Sequence, residues 1–189
     1  IRRGEIYFYS YYRTKNYIAN DNVKLLELSI REFRKAVDID PSPRAITNLA
    51  VAKMAYGFLD SREANIKDMI RDVVGMLEGI ISAYPMYIMA YVNLGILHMR
   101  VRNYNDALAV FVTTLKLIKD NNGYIDPWCL HNRDLDLFNK LLRRPLNLNL
   151  LLLCKGEETK ALDNIGKLYQ AAIHFFISII EEDNGHVYK

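Results

Sequence analysis

The sequence predicts an all-α protein, and three observations carry that prediction. Apolar residues recur at helical spacing in one segment after another along the 189 residues. No Asn-Gly or Asp-Gly pair joins two alternating apolar runs, since Asn122-Gly123 and Asn184-Gly185 both follow helical stretches and read as helix stops. The third observation is a local pattern: Tyr91, Leu94 and His98 share one helical face, Gly95 beside them opens room for a close neighbour, and Ala107 and Phe111, four apart, supply the opposing face.

The amino end, Ile6-Tyr7-Phe8-Tyr9 followed by Tyr11, Tyr12 and Tyr17, is strongly aromatic, and β-propensity alone would make it a strand. An edge strand without a partner is an aggregation hazard. A first helix is therefore expected, with Tyr7/Tyr11 and Phe8/Tyr12 as four-apart pairs filling a core or presenting a docking face. Val23 to Asp38 carries the stripe Leu25, Leu28, Ile30, Phe33, Ala36 and Val37, ending at Asp40-Pro41. Similar stripes cover Arg44 to Leu59, Ile66 to Ala83, Met86 to Arg100, Tyr104 to Lys119 and Thr159 to Glu182. The pattern breaks over Asn121 to Lys155, around Pro127, Trp128 and Pro145, where helices are expected only at Asp134 to Leu142 and Leu146 to Cys154. Trp128 there reads as a contact anchor or as a cap on the local core. After Tyr169 the chain runs apolar to an acidic end, Glu181-Glu182-Asp183, as a long terminal helix or a helix pair.

Laying the Tyr91 to Phe111 pattern over the rest of the chain returns three partial copies. Ser29-x3-Phe33 with Ala36 and Pro41 matches a second helix. Ile46-x2-Leu49-Ala50 matches a first helix, with Val73-x3-Leu77, Ile80 and Pro85 as its partner. Ala50 and Leu77 are 27 apart where Gly95 and Phe111 are 16 apart, so an inserted loop is expected around Asp60 to Asp68. Leu162-x2-Ile165-Gly166-x2-Tyr169 returns as another first helix.

These residues resemble the tetratricopeptide (TPR) repeat, a helix-turn-helix unit of about 34 residues patterned aromatic, Leu-Gly, aromatic, then Ala and Phe. The resemblance is clearest at 88–121, partial at 23–43, 44–87 and 156–189, and implies one domain over 1–189. It implies antiparallel hairpins stacked in a right-handed superhelix, with one inserted loop and a diverged carboxy-terminal part. It also implies a scaffold whose concave groove binds a peptide or helix of another protein. The family's groove positions are the residue before the Leu-Gly pair and the one four earlier: Arg44 and Asn48, Met89 and Asn93, Lys160 and Asn164. Converging amides and cations would hold a peptide carboxylate through charge-assisted hydrogen bonds. Met89 and Asn164 depart from the basic residues of the carboxylate-clamp subgroup, so a clamp and a generic polar groove both stay open.

Composition narrows the partner class. The formal charge of +3, set by 25 basic and 22 acidic residues without a long basic run, gives no field for nucleic acid. No apolar run approaches the roughly 20 residues of a membrane span. Cys129 and Cys154 are too few for a disulfide framework, which favours a reducing, cytoplasmic location. The chain begins at Ile1 rather than Met, which leaves open an excised domain or a lost signal. His98 reads as a packed imidazole, Cys129-Leu130-His131 has no zinc spacing, and no phosphate loop or dinucleotide fingerprint occurs. No catalytic residue, metal or cofactor is expected. The alternative function is a helical module of a larger enzyme, such as a glycosyltransferase, serving substrate positioning or assembly; self-association through an exposed helix face is open to either.

Overall fold

The structure is a computed structural model, and it describes residues 1–13, 19–59, 63–120, 123–126 and 158–187. Among the described residues it is all-helical, with no strand beyond an isolated bridge between Tyr87 and Tyr124. The chain divides into two compact units, Ile1–Pro85 and Met86–Lys189.

The first unit contains α1 (Arg2–Arg13), α2 (Ala19–Ile39), α3 (Pro43–Leu59) and α4 (Glu63–Ala83), each packed on the next. The aromatic amino end is a helix. Phe8 and Tyr11 are buried with ring centroids 6.2 Å apart, so the ring contact is three apart rather than the four of the expected pairs. Tyr9 and Ile6 face outward, and Tyr12 and Tyr17 lie outside the side chains described. The α1–α2 contact is close because residue 4 is glycine: a Cβ there would meet Phe33 ring carbons at 2.7 Å. Beside it, the buried Ser29 hydroxyl donates to the Gly4 carbonyl at 3.0 Å, so the polar group at the tightest approach is satisfied.

Between α2 and α3 the sequence Asp40-Pro41-Ser42-Pro43 stops one helix and starts the next. Pro43 occupies the first helical position, and the Ser42 hydroxyl accepts from the Ala45 N–H at 3.4 Å as an N-cap. Helix α3 lies against both α2 and α4, and its apolar residues are buried on several faces, including Ala45, Leu49, Val51, Ala52 and Met54. It runs antiparallel to α4, since Gly57 meets Met69 while Lys53, a turn earlier, meets Asp72. The loop expected around Asp60 to Asp68 is corrected: residues 63–68 form the first turns of α4, and 60–62 lie outside the described residues. The extra length between Ala50 and Leu77 is thus carried mainly as helix, whose backbone bonds are satisfied internally. Val73, Leu77 and Ile80 form the buried stripe of α4.

The second unit contains α5 (Ile88–Arg100), α6 (Tyr104–Lys119) and α7 (Glu158–Val187). Helices α5 and α6 form a hairpin across the link 101–103, in which Arg102 takes a left-handed φ of 60° and the Asn103 N–H donates to the His98 carbonyl at 2.9 Å. A Cβ on Gly95 would fall under 3.0 Å from three Phe111 ring carbons, so the expected close approach is present. Ala107 is buried beside it, and His98, expected to pack in the core, is half-buried.

After α6 the chain returns to the start of α5. The Ile88 N–H donates to the Tyr124 carbonyl at 2.9 Å, and a Cβ on Gly123 would press on the Ile88 side chain. Helix α7 is one continuous helix of 30 residues rather than a helix pair, and residue 185, read as a helix stop, lies inside it. Tyr169, Ala172, Ile173, Phe176 and Ile180 are its buried stripe, with Phe176 stacked on Phe111 at 5.7 Å. The readings at Asp134 to Leu142, Leu146 to Cys154, Pro127, Trp128, Pro145, Cys129 and His131 lie outside the described residues.

Candidate functional site

The groove residues inferred from the family pattern sit on α3, α5 and α7. Arg44 opens α3 half-buried, but Asn48, one turn on, has 0% exposure. On α5, Met89 and Asn93 are likewise 0% exposed, and the Asn93 amide donates to the Met89 carbonyl at 2.8 Å. In this conformation Asn48, Met89 and Asn93 are interior residues without a surface to offer a ligand. The side chains of Lys160 and Asn164, on α7, lie outside the described residues. Neither Asn48 Nδ2, Asn93 Oδ1 nor the neighbouring Thr47 Oγ1 finds a hydrogen-bond partner among the described residues. Such orphaned atoms cost stability, roughly 1–3 kcal/mol each.

The first unit holds an open cleft of about 620 Å³, with α3 as its floor and α2 and α4 as its walls. Glu27, Ile30, Arg31 and Arg34 face it from α2 at spacings of three and four, the period of one helix face. Lys53 and Tyr56 rise from α3, and Asp68, Met69 and Asp72 line the α4 side. Lys53 pairs with Asp72 across the α3–α4 seam, and Arg71 pairs with Asp68 at 2.7 Å. The Tyr56 hydroxyl donates to Glu27 at 3.4 Å. On α2, Glu32 takes Lys35 at 2.9 Å and Arg31 at 3.6 Å, and the Lys35 hydrogen bond holds the Glu32 carboxyl below its ordinary range. Arg34 makes no ion pair among the described residues.

Two further features bear on what the site can do. Gly75 and Gly79 continue the face of α4 that carries Asp68 and Asp72, and both are exposed with nothing within 4 Å of the space a Cβ would take. Among the described residues no group of three or more His, Cys, Asp or Glu side chains is placed to hold a metal, and no helix is long and apolar enough to cross a membrane.

The sequence reading missed this cleft because Arg31, Arg34 and Lys53 look like ordinary solvated helix charges, and the Lys53–Asp72 pair joins residues 19 apart. The signal within reach was Gly75 and Gly79 inside a helix, where each glycine costs about 1 kcal/mol against alanine. Comparison of the chain with protein-family models, curated proteins and solved structures returns no match. Among its described residues the chain is therefore an all-α protein of packed helices with an open, charged cleft.

Proposed function

We infer that the chain is an interaction scaffold, a TPR-like array of helix pairs stacked in a right-handed superhelix, which binds a peptide or helix of a partner protein. The observation that carries this reading is a recurrence. Gly4 on α1 takes Phe33 of α2, Gly57 on α3 takes Met69 of α4, and Gly95 on α5 takes Phe111 of α6. Each helix pair has a glycine notch in its first helix and a bulky plug on its second, although Gly57 lies about two turns past Ala50, the residue that matches Gly95 in the sequence pattern; such pairing is expected of units that cannot bury their apolar faces alone. Repeat arrays of this kind work through extended surfaces, which suits an open cleft with mixed charge better than an enclosed reaction chamber. With only two cysteines in the sequence, the reading carries a reducing, cytoplasmic setting with it.

The test is affinity capture from a native extract with the folded full chain, followed by light scattering of the reconstituted complex. A partner protein bound in fixed stoichiometry is the expected result. Failure of every retained protein to form a defined complex, or turnover of a small molecule by the purified chain, would overturn the scaffold reading.

A further inference from the structure

The geometry points to the α2–α3–α4 cleft as the seat of a partner α-helix, laid over α3 between its two walls, with a carboxylate at Arg34 and a cation about two turns away at Glu27. This rests on the scaffold reading and adds the form and charge pattern of the bound element.

The cleft has the layout of a helix-in-groove surface. Helices α2 and α4 both pack on α3, which leaves a trough above α3 floored by Tyr56 and edged by the apolar side chains of Ile30 and Met69. The charges in it are not equivalent. Lys53 and Asp72 neutralise one another, and Asp68 has Arg71. Arg34 is left without an ion pair among the described residues, and Glu27 has a hydroxyl donor, Tyr56, at 3.4 Å. These two lie seven residues apart on one face of α2, a separation of about 10 Å along a helix axis. A bound helix with the opposite charges two turns apart matches both.

The α4 wall supports a helix rather than a small ligand. Gly75 and Gly79 sit four apart on the face that carries Asp68 and Asp72, so that face continues beyond the charged end of the cleft without side chains. Gly4, Gly57 and Gly95 are each filled by a bulky side chain of a neighbouring helix, while Gly75 and Gly79 meet nothing. Glycine is a poor helix former, and its use on an exposed helix wall is accounted for when another helix comes close there.

Two synthetic helical peptides of about five turns test this, both with the same leucine stripe. One carries Glu and Lys two turns apart beside the stripe, and the other carries Lys at both places. Fluorescence anisotropy with the full chain should favour the Glu/Lys peptide by about fivefold to tenfold, and Arg34→Glu should reverse the preference. Gly79→Leu, folded by circular dichroism, should weaken both peptides at least tenfold. Equal affinity for the two peptides, no reversal in Arg34→Glu, or undiminished binding by Gly79→Leu would overturn the proposal. A wild-type dimer in light scattering that Gly79→Leu makes monomeric would also overturn it, by seating a second copy in the cleft. A stoichiometric partner from the extract that Arg34→Glu and Gly79→Leu retain would leave the scaffold reading standing and remove only this cleft assignment.

Discussion

Gly95 and Phe111 touch so closely that the hydrogen on the glycine Cα is all the space between helices α5 and α6 allows: a Cβ would fall under 3.0 Å from three carbons of the phenylalanine ring. The same ring stacks on Phe176 of α7 at 5.7 Å, so it has no free side toward which to retreat.

Gly95→Ala is therefore expected to destabilise the chain by about 1–3 kcal/mol through overpacking, although alanine is the better helix former by about 1 kcal/mol. Urea unfolding measures it. Phe111→Leu should recover part of the loss when combined with Gly95→Ala, because the two changes act on one contact. A stabilised Gly95→Ala protein would show that the helices are farther apart than described.

Gly75 and Gly79 should behave in the opposite sense. Nothing lies within 4 Å of either notional Cβ, so Gly75→Ala and Gly79→Ala are each expected to stabilise by about 0.5–1 kcal/mol in the same experiment. Destabilisation by either would mean that this face of α4 is already covered within the chain.

Asn93 is buried with its Oδ1 unpaired, and its amide bonds the Met89 carbonyl, which already lies in a helix. Asn93→Leu is expected to leave stability within about 1 kcal/mol of wild type, because the orphaned atom goes together with the lost bond. Asn93→Asp, which places a charge in the same interior position, should cost several kcal/mol. Thermal unfolding of the two variants side by side decides the point, and equal losses would contradict the burial.

Among the described residues, two groups with shifted ionisation give a direction to pH effects. The Lys35 hydrogen bond lowers the Glu32 carboxyl, so its contribution is present above the ordinary carboxylate pKa and is lost as pH falls through the lowered folded value. Burial raises the Tyr91 phenol, so its contribution is intact below the ordinary value of about 10 and is lost as pH rises through the raised one. Glu32→Gln should flatten the acid limb of the stability profile, and Tyr91→Phe the alkaline limb. Unchanged limbs would show that neither group is perturbed by folding.

Much of the fold was legible because helix period and end signals are local. The Tyr104 to Lys119 helix matches its expected bounds, and the expected bounds of α2 to α5 and α7 lie within a few residues of those found, except that α2 begins at Ala19 and α7 runs to Val187. Phe33 and Phe111 were readable as second-helix plugs from their Ser29-x3 and Ala107-x3 spacing. The partner of Phe33 was not, since Gly4 lies 29 residues before it where Gly95 lies 16 before Phe111. The returning Gly-x2-aromatic spacing, Gly4-x2-Tyr7 and Gly95-x2-His98, was the available signal. A fixed repeat length predicts a loop around 60–68 where the pair instead lengthens both of its helices, although the apolar stripe from Ile66 already marks part of that stretch as helix. Position within a repeat also overstated the exposure of Asn48 and Asn93, since a family pattern gives the face of a helix but not what is packed over it. The cleft depends on contacts such as Lys53 with Asp72 that no local pattern encodes.

The most direct test of the central claim is site-specific photo-crosslinking with a photoreactive phenylalanine placed at the exposed Arg31 on the α2 wall of the cleft or at the exposed Val112 of α6, each in the full chain in native extract. The account predicts a crosslinked partner protein from position 31 and none from position 112. A partner crosslinked from position 112 alone, or equally from both, would contradict it.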